Sequence, residues 1–177
     1  GRTDLYISVN ISAKDLYFMN IYQVFLGLIA RYQINPRNLK LEITESAIAM
    51  DFDRHLELIG KLRNIGFVVE MDDFGSGYSS LNQLKDMPLD VLKIDMKFLS
   101  KAQDNNKAET ILRNILRLSN DLGLFSLTEG VETKDQYKKL NEMGCNLFQG
   151  YYFAKPMSVT DYEKLLGTQQ LDKKRSN

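Results

Sequence analysis

The stretch Val68-Val69-Glu70-Met71-Asp72-Asp73-Phe74-Gly75-Ser76-Gly77-Tyr78-Ser79-Ser80 limits what this chain can fold into more than any other. It opens as a strand, with Glu70 and Asp72 on one parity and Val69, Met71 and Asp73 on the other. Gly75 and Gly77 break that strand, so two adjacent carboxylates fall where it must end. Neighbouring negative charges repel, and burying them without a partner costs several kcal/mol. Only at a strand end can both side chains turn toward one centre, and a divalent cation there would resolve the repulsion. The plain alternative is an N-cap aspartate beside a solvated neighbour in an ordinary βα loop. The rest of the chain decides between them.

Read in order, the chain alternates strand and helix six times. Leu5 to Asn10 is an alternating strand, and Ile21, Val24, Phe25, Leu28, Ile29 and Tyr32 recur at helical spacing until Asn35-Pro36. Leu39 to Ser46 alternates again, with Lys40, Glu42 and Thr44 on the polar face. Leu56, Ile59 and Leu62 mark a helix capped by Asp51 or Asp53 and ended by Gly66. After the strand at Val68, a helix is expected from about Tyr78 to Lys85, closed by Pro88. Val91 to Asp95 is a short strand, and Ala108, Ile111, Leu112, Ile115, Leu116 and Leu122 form the longest helix. Leu124 to Glu129 is a strand, and Thr133 with Gln136 makes a capping box for a helix ending at Gly144. Leu147 to Gly150 is the last strand. Ser158 caps a helix through about Leu166, and residues 168–177 read as a polar, frayed tail.

Such alternation without long linkers predicts an α/β fold with parallel strands and right-handed crossovers. Buried parallel strands are normally apolar on both faces. Several of these carry a polar parity instead, ending in Asn10, Glu42, Asp72 with Asp73, Lys93 and Glu129. Glu129 breaks the pattern, sharing its parity with Phe125 and Leu127. Five converging carboxyl ends carrying oxygen ligands and one lysine predict a metal site, for which amide and carboxylate donors select hard cations such as Mg²⁺ or Mn²⁺. A carboxylate-rich site beside a lysine suits phosphate-ester hydrolysis. His55, the only histidine, is expected on a helix surface rather than at the site.

Composition narrows the class. With 177 residues, 44% of them apolar, the chain can build one full core. Lysine plus arginine and aspartate plus glutamate number 23 each, which argues against a duplex nucleic acid partner. A single cysteine, Cys145, excludes an internal disulfide framework and fits the cytoplasm, or the cytoplasmic part of a membrane-bound protein. No apolar run reaches the ~20 residues needed to span a bilayer. The chain begins Gly1-Arg2-Thr3 without a signal peptide, so the natural start is expected upstream.

The segment Asp72-Asp73-Phe74-Gly75-Ser76-Gly77-Tyr78-Ser79-Ser80-Leu81 resembles the signature loop of EAL-domain cyclic di-GMP phosphodiesterases. The likeness continues through Val9-Asn10-Ile11-Ser12, Glu42-Ile43-Thr44-Glu45-Ser46, Leu92-Lys93-Ile94-Asp95, Glu129-Gly130-Val131-Glu132-Thr133 and Gln149-Gly150-Tyr151. The resemblance implies a TIM-type (βα)₈ barrel, six of whose eight units lie in residues 1–167. It implies that Asn10, Glu42, Asp72 and Asp73 bind two metals, with Asp72 bridging and Glu129 in support. Lys93 would contact the attacking water, Gln149 would help hold it, and Glu45 would anchor the loop after Asp73. The implied reaction opens cyclic di-GMP to linear pGpG with Mg²⁺ or Mn²⁺, Ca²⁺ being inhibitory. A homodimer formed near the Phe74–Ser80 loop and an upstream regulatory or GGDEF domain are implied as well.

The chain departs from the family in one important respect. It begins at what resembles the third barrel strand, and the Glu-Ala-Leu tripeptide of the second is absent. Thr128 before Glu129 and Ser76 in the signature loop are smaller departures. The alternative function is therefore a degenerate EAL module that binds cyclic di-GMP or a protein without turnover. The activity of these 177 residues alone is expected to be low.

Overall fold

A computed structural model describes residues 5–75, 81–96 and 105–175. Six strands form one sheet in sequential order: β1 (Ile7–Ile11), β2 (Leu39–Thr44), β3 (Val68–Asp72), β4 (Val91–Asp95), β5 (Phe125–Glu129) and β6 (Leu147–Phe148). Every neighbouring pair is parallel. Helices fall between the strands, giving the parallel α/β fold that the alternation predicts, and the sheet is the wall of the TIM-type barrel that the resemblance implies.

The apolar parity of each early strand faces the helices. Leu41, Ile43, Val69, Met71 and Leu92 are fully buried with Ile48, Ile59 and Leu62 from the helical layer. Ile94 continues that face into a second cluster with Leu112, Leu116 and Leu140. Core leucines of this kind cost about 2–5 kcal/mol when cut back to alanine. The outer face of β1 is different. Ile7 and Val9 are exposed, while Ile11 at the strand end is buried.

β5 inverts the pattern, and this resolves the parity of Glu129. Lys93 is in register with Leu127, and Asp95 with Glu129, so Leu127 and Glu129 share the inner face with Lys93. Ser126 and Thr128 point outward and are fully buried. Their polar groups are satisfied there: Ser126 Oγ donates to Asn146 Oδ1 at 3.0 Å, and Thr128 Oγ1 lies 3.1 Å from Cys145 Sγ. A buried hydroxyl with a partner carries little penalty, so polarity alone does not mark the inner face here.

Several helix boundaries differ from expectation. A six-residue helix, α1 (Ala13–Phe18), follows β1, closed at its start by a Ser12–Asp15 capping box. Aspartate takes the reciprocal role that glutamate or glutamine usually plays. α2 (Ile21–Tyr32) then runs as predicted. β2 stops at Thr44, whose hydroxyl accepts from the Ala47 N–H and starts α3 (Glu45–Ala49). α4 (Phe52–Ile65) ends in Gly66 at φ 112°, a left-handed cap where a Cβ would sit 3.4 Å from the Pro36 ring. The helix expected from Tyr78 lies partly outside the described residues and is seen as α5 (Leu81–Leu84). α6 (Asn105–Asp121) and α7 (Lys134–Glu142) match their patterns. The last helix, α8 (Val159–Arg175), passes the expected end at Leu166 and includes most of the segment read as a frayed tail. No proline follows Gly167, and Gln169, Gln170, Leu171, Lys173 and Lys174 all favour helix.

His55 requires a correction. It is buried, with Nδ1 3.1 Å from the Ile48 carbonyl oxygen. It lies four residues before Ile59 and seven before Leu62, which puts it on the core face of α4.

Candidate active site

The inner face of the sheet gathers charge at its carboxyl ends. β1 and β2 are in register at Asn10 and Glu42, and β2 and β3 at Thr44 and Asp72, so these side chains share one face. At the centre stands Lys93, only 3% exposed. Its ammonium lies 2.5 Å from Glu42 Oε2, 2.8 Å from Glu129 Oε1 and 3.1 Å from Asp72 Oδ1. Three strands thus bring three carboxylates to one cation.

Electrostatics explains the arrangement. Burial works against the lysine charge, yet hydrogen bonds and attraction to Glu129 and Glu42 outweigh it and hold the Lys93 pKa above the ordinary lysine value. Burial pushes the Glu129 carboxyl up, Lys93 pulls it down, and the charges of Asp72 and Glu42 add to the rise. With all four ionised, one ammonium faces three carboxylates, leaving two negative charges unbalanced. Such a centre attracts a further cation.

The loop after β3 is built to turn sharply. Asp73 has φ 56°, a left-handed backbone uncommon for a residue with a side chain. Its N–H donates to Asp72 Oδ1 at 3.0 Å, which orients that carboxylate. Two residues on, the Gly75 N–H donates to Glu45 Oε2 at 2.9 Å. Glu45 opens α3 and is 2% exposed, so a buried carboxylate grips the loop backbone.

Gln149 lies just beyond β6, positioned by its backbone. Its N–H donates to the Thr128 carbonyl at 2.9 Å, and its own carbonyl accepts from Val131 N–H at 3.0 Å. Gly150 makes that approach possible, since a Cβ there would fall 2.1 Å from the Val131 oxygen. The Gln149 side chain is exposed at the same end of the sheet, outside the Lys93 cluster, and Asn10 joins that cluster only through its register with Glu42. Asp95 is an inner-face residue that the sequence reading passed over. It follows Lys93 by two residues and pairs in register with Glu129. The i, i+2 spacing was the available signal.

The residues present fit a hard divalent cation by donor chemistry: carboxylate oxygens from three strands, an amide from a fourth, and excess negative charge. Among the described residues, no three His, Cys, Asp or Glu side chains stand as a ready metal cage; Glu42, Asp72 and Glu129 converge on the Lys93 ammonium instead.

The described strands form a parallel α/β barrel wall with carboxylates and a lysine gathered at their carboxyl ends, the end where folds of this class carry their functional groups. The EAL domain family matches residues 2–156, and the chain belongs to that family. It is 36% identical over 168 residues to the bifunctional diguanylate cyclase/cyclic di-GMP phosphodiesterase MucR of Pseudomonas aeruginosa, covering 95% of this chain and 24% of that protein. Among solved structures, a PaMucR phosphodiesterase in complex with c-di-GMP superposes with TM-score 0.85 at 34% identity, over 92% of this chain and 66% of that one. A manganese/cy-diGMP complex of Klebsiella pneumoniae BlrP1 superposes with TM-score 0.75 at 28% identity, over 85% and 39%. No described helix is long and apolar enough to cross a membrane.

Proposed function

We propose that residues 1–167 are the carboxyl-terminal part of an EAL domain that hydrolyses cyclic di-GMP to linear pGpG with Mg²⁺ or Mn²⁺. The observation that carries this reading is the convergence of Glu42, Asp72 and Glu129 on Lys93. Asn10, Glu42, Asp72, Asp73 and Glu129 would hold the metals. A bound pair of cations supplies charge neutralisation at the phosphate and a more acidic water. Lys93, fully protonated at neutral pH, places a positive charge where negative charge develops on the phosphate and the attacking oxygen. Gln149 would help orient that water, and Glu45 fixes the loop that presents Asp73. A module that only bound the nucleotide would have no need to hold a buried lysine against three carboxylates.

Ca²⁺ would support binding without turnover, because it takes more ligands at longer distances than Mg²⁺ or Mn²⁺. The parent protein would act in the cytoplasm as a homodimer under an upstream regulatory or GGDEF domain. The dimer surface assigned to the Phe74–Ser80 loop lies largely outside the described residues. The test is to incubate the protein carrying this domain with cyclic di-GMP and Mn²⁺ and follow pGpG. Asp72→Asn is expected to abolish product, and full activity in that variant would remove Asp72 from the chemistry.

A further inference from the structure

A second ionic pair stands on the same inner face, and the proposed chemistry leaves it unused. Lys40 Nζ lies 2.8 Å from Glu70 Oε1, and Ser8 Oγ donates to Glu70 Oε2 at 3.4 Å. The Lys40 ammonium also stands 4.1 Å from the centre of the Tyr6 ring. Glu70 is 1% exposed and Lys40 8%. Each precedes a residue of the Lys93 cluster by two positions: Lys40 precedes Glu42, and Glu70 precedes Asp72.

The register makes this pair more than packing. Glu70 is the direct cross-strand partner of Glu42, so their side chains leave the sheet side by side on one face. An unpaired Glu70 would add negative charge next to Glu42 and Asp72 and offer a cation an extra ligand. A buried ion pair is also weak evidence for stability alone, since desolvation offsets most of the attraction. We propose that Lys40 is a positioning residue that neutralises Glu70 and holds it out of the cation site. Glu42, Asp72 and Glu129 then set the charge that a divalent ion meets. This rests on the metal-site reading above.

The test is Mn²⁺ titration calorimetry on the 177-residue chain, with folding of each variant checked by circular dichroism. Lys40→Met frees Glu70 and should tighten Mn²⁺ binding about tenfold, the scale of one extra charge near the site. Adding Glu70→Gln to that variant should remove the gain. Lys40→Arg keeps the charge and should bind as the unmodified chain does. A purely structural role would lower stability in Lys40→Met without tightening Mn²⁺. If Lys40→Met does not fold, Glu70→Gln decides the matter: its uncompensated ammonium should weaken Mn²⁺ by a similar factor, and unchanged affinity overturns the proposal. Lys40→Met binding Mn²⁺ no tighter than the unmodified chain, or a double variant that keeps the gain, also overturns it while leaving the metal site standing. An unmodified chain that takes up no Mn²⁺ overturns the metal reading and this inference together.

Discussion

The Gly75 N–H donates to Glu45 Oε2 at 2.9 Å, so the first turn of α3 holds the loop that follows β3. The two residues are thirty positions apart, and the bond joins two adjacent βα units at the mouth of the sheet. It is a charge-assisted bond made by a buried carboxylate, the kind whose loss leaves a backbone donor unsatisfied.

Glu45→Ala is therefore expected to cost about 1–3 kcal/mol and to loosen the Asp73–Gly75 turn. Hydrogen exchange at the Gly75 amide should accelerate, and Mn²⁺ affinity should fall because Asp73 is no longer presented. An unchanged exchange rate would show that the loop holds its turn without Glu45.

Lys93→Met removes the one side-chain cation that, among the described residues, lies against Glu42, Asp72 and Glu129. Breaking a buried ion cluster by deleting one partner costs about 3–5 kcal/mol. Part of that loss should return on adding Mn²⁺, which replaces the missing positive charge. Turnover of cyclic di-GMP should still fall by orders of magnitude if Lys93 has the proposed role beside the attacking water, because a metal bound among the carboxylates does not replace that charge. Urea unfolding with and without Mn²⁺ measures the first effect, and pGpG release the second.

The raised carboxyl of Glu129 gives a pH dependence of definite sign. Its ordinary value is 4.5 and the folded value lies higher, so between the two the folded state holds the proton and the unfolded state does not. Stability of the metal-free chain should therefore decline as pH rises from about 4.5 through the folded value, then level off. Lys93 acts in a different window: its contribution is complete below 10.5 and is lost as pH climbs through its raised folded value. Saturating Mn²⁺ should abolish the acid-side decline, since the ion favours ionised carboxylates. Glu129→Gln should abolish it without metal. Chemical denaturation at stepped pH reads both, and a rise in metal-free stability across this interval would contradict the assignment.

Among the described residues, β1 pairs only with β2 and β6 only with β5, while Ile7 and Val9 of β1 and Tyr6 just before it are exposed. Open edges and exposed apolar side chains weaken a barrel wall. The 177 residues alone should bind an apolar-surface dye such as ANS and release pGpG far more slowly than an intact EAL domain. Turnover matching an intact domain would show that this part of the barrel is sufficient.

Much of the candidate site's placement was legible before any coordinates, because strand parity determines which residues share a face at the carboxyl ends of parallel strands. Alternation placed Asn10, Glu42, Asp72 and Lys93 on one face, and the register agrees. The apolar periodicity likewise specified the helices at Ile21–Tyr32, Phe52–Ile65 and Asn105–Asp121. Tertiary structure decided what local pattern could not. Glu129 belongs to the inner face although its strand is polar on the other side, because Asn146 and Cys145 satisfy Ser126 and Thr128 among the helices. His55 is buried because its helical phase with Ile59 and Leu62 outweighs its polarity. The grip of Glu45 on Gly75, and the pairing of Lys40 with Glu70, depend on distances between strands and loops far apart in sequence. Parity determines which face a residue takes. Which charges then meet is set by the register of neighbouring strands.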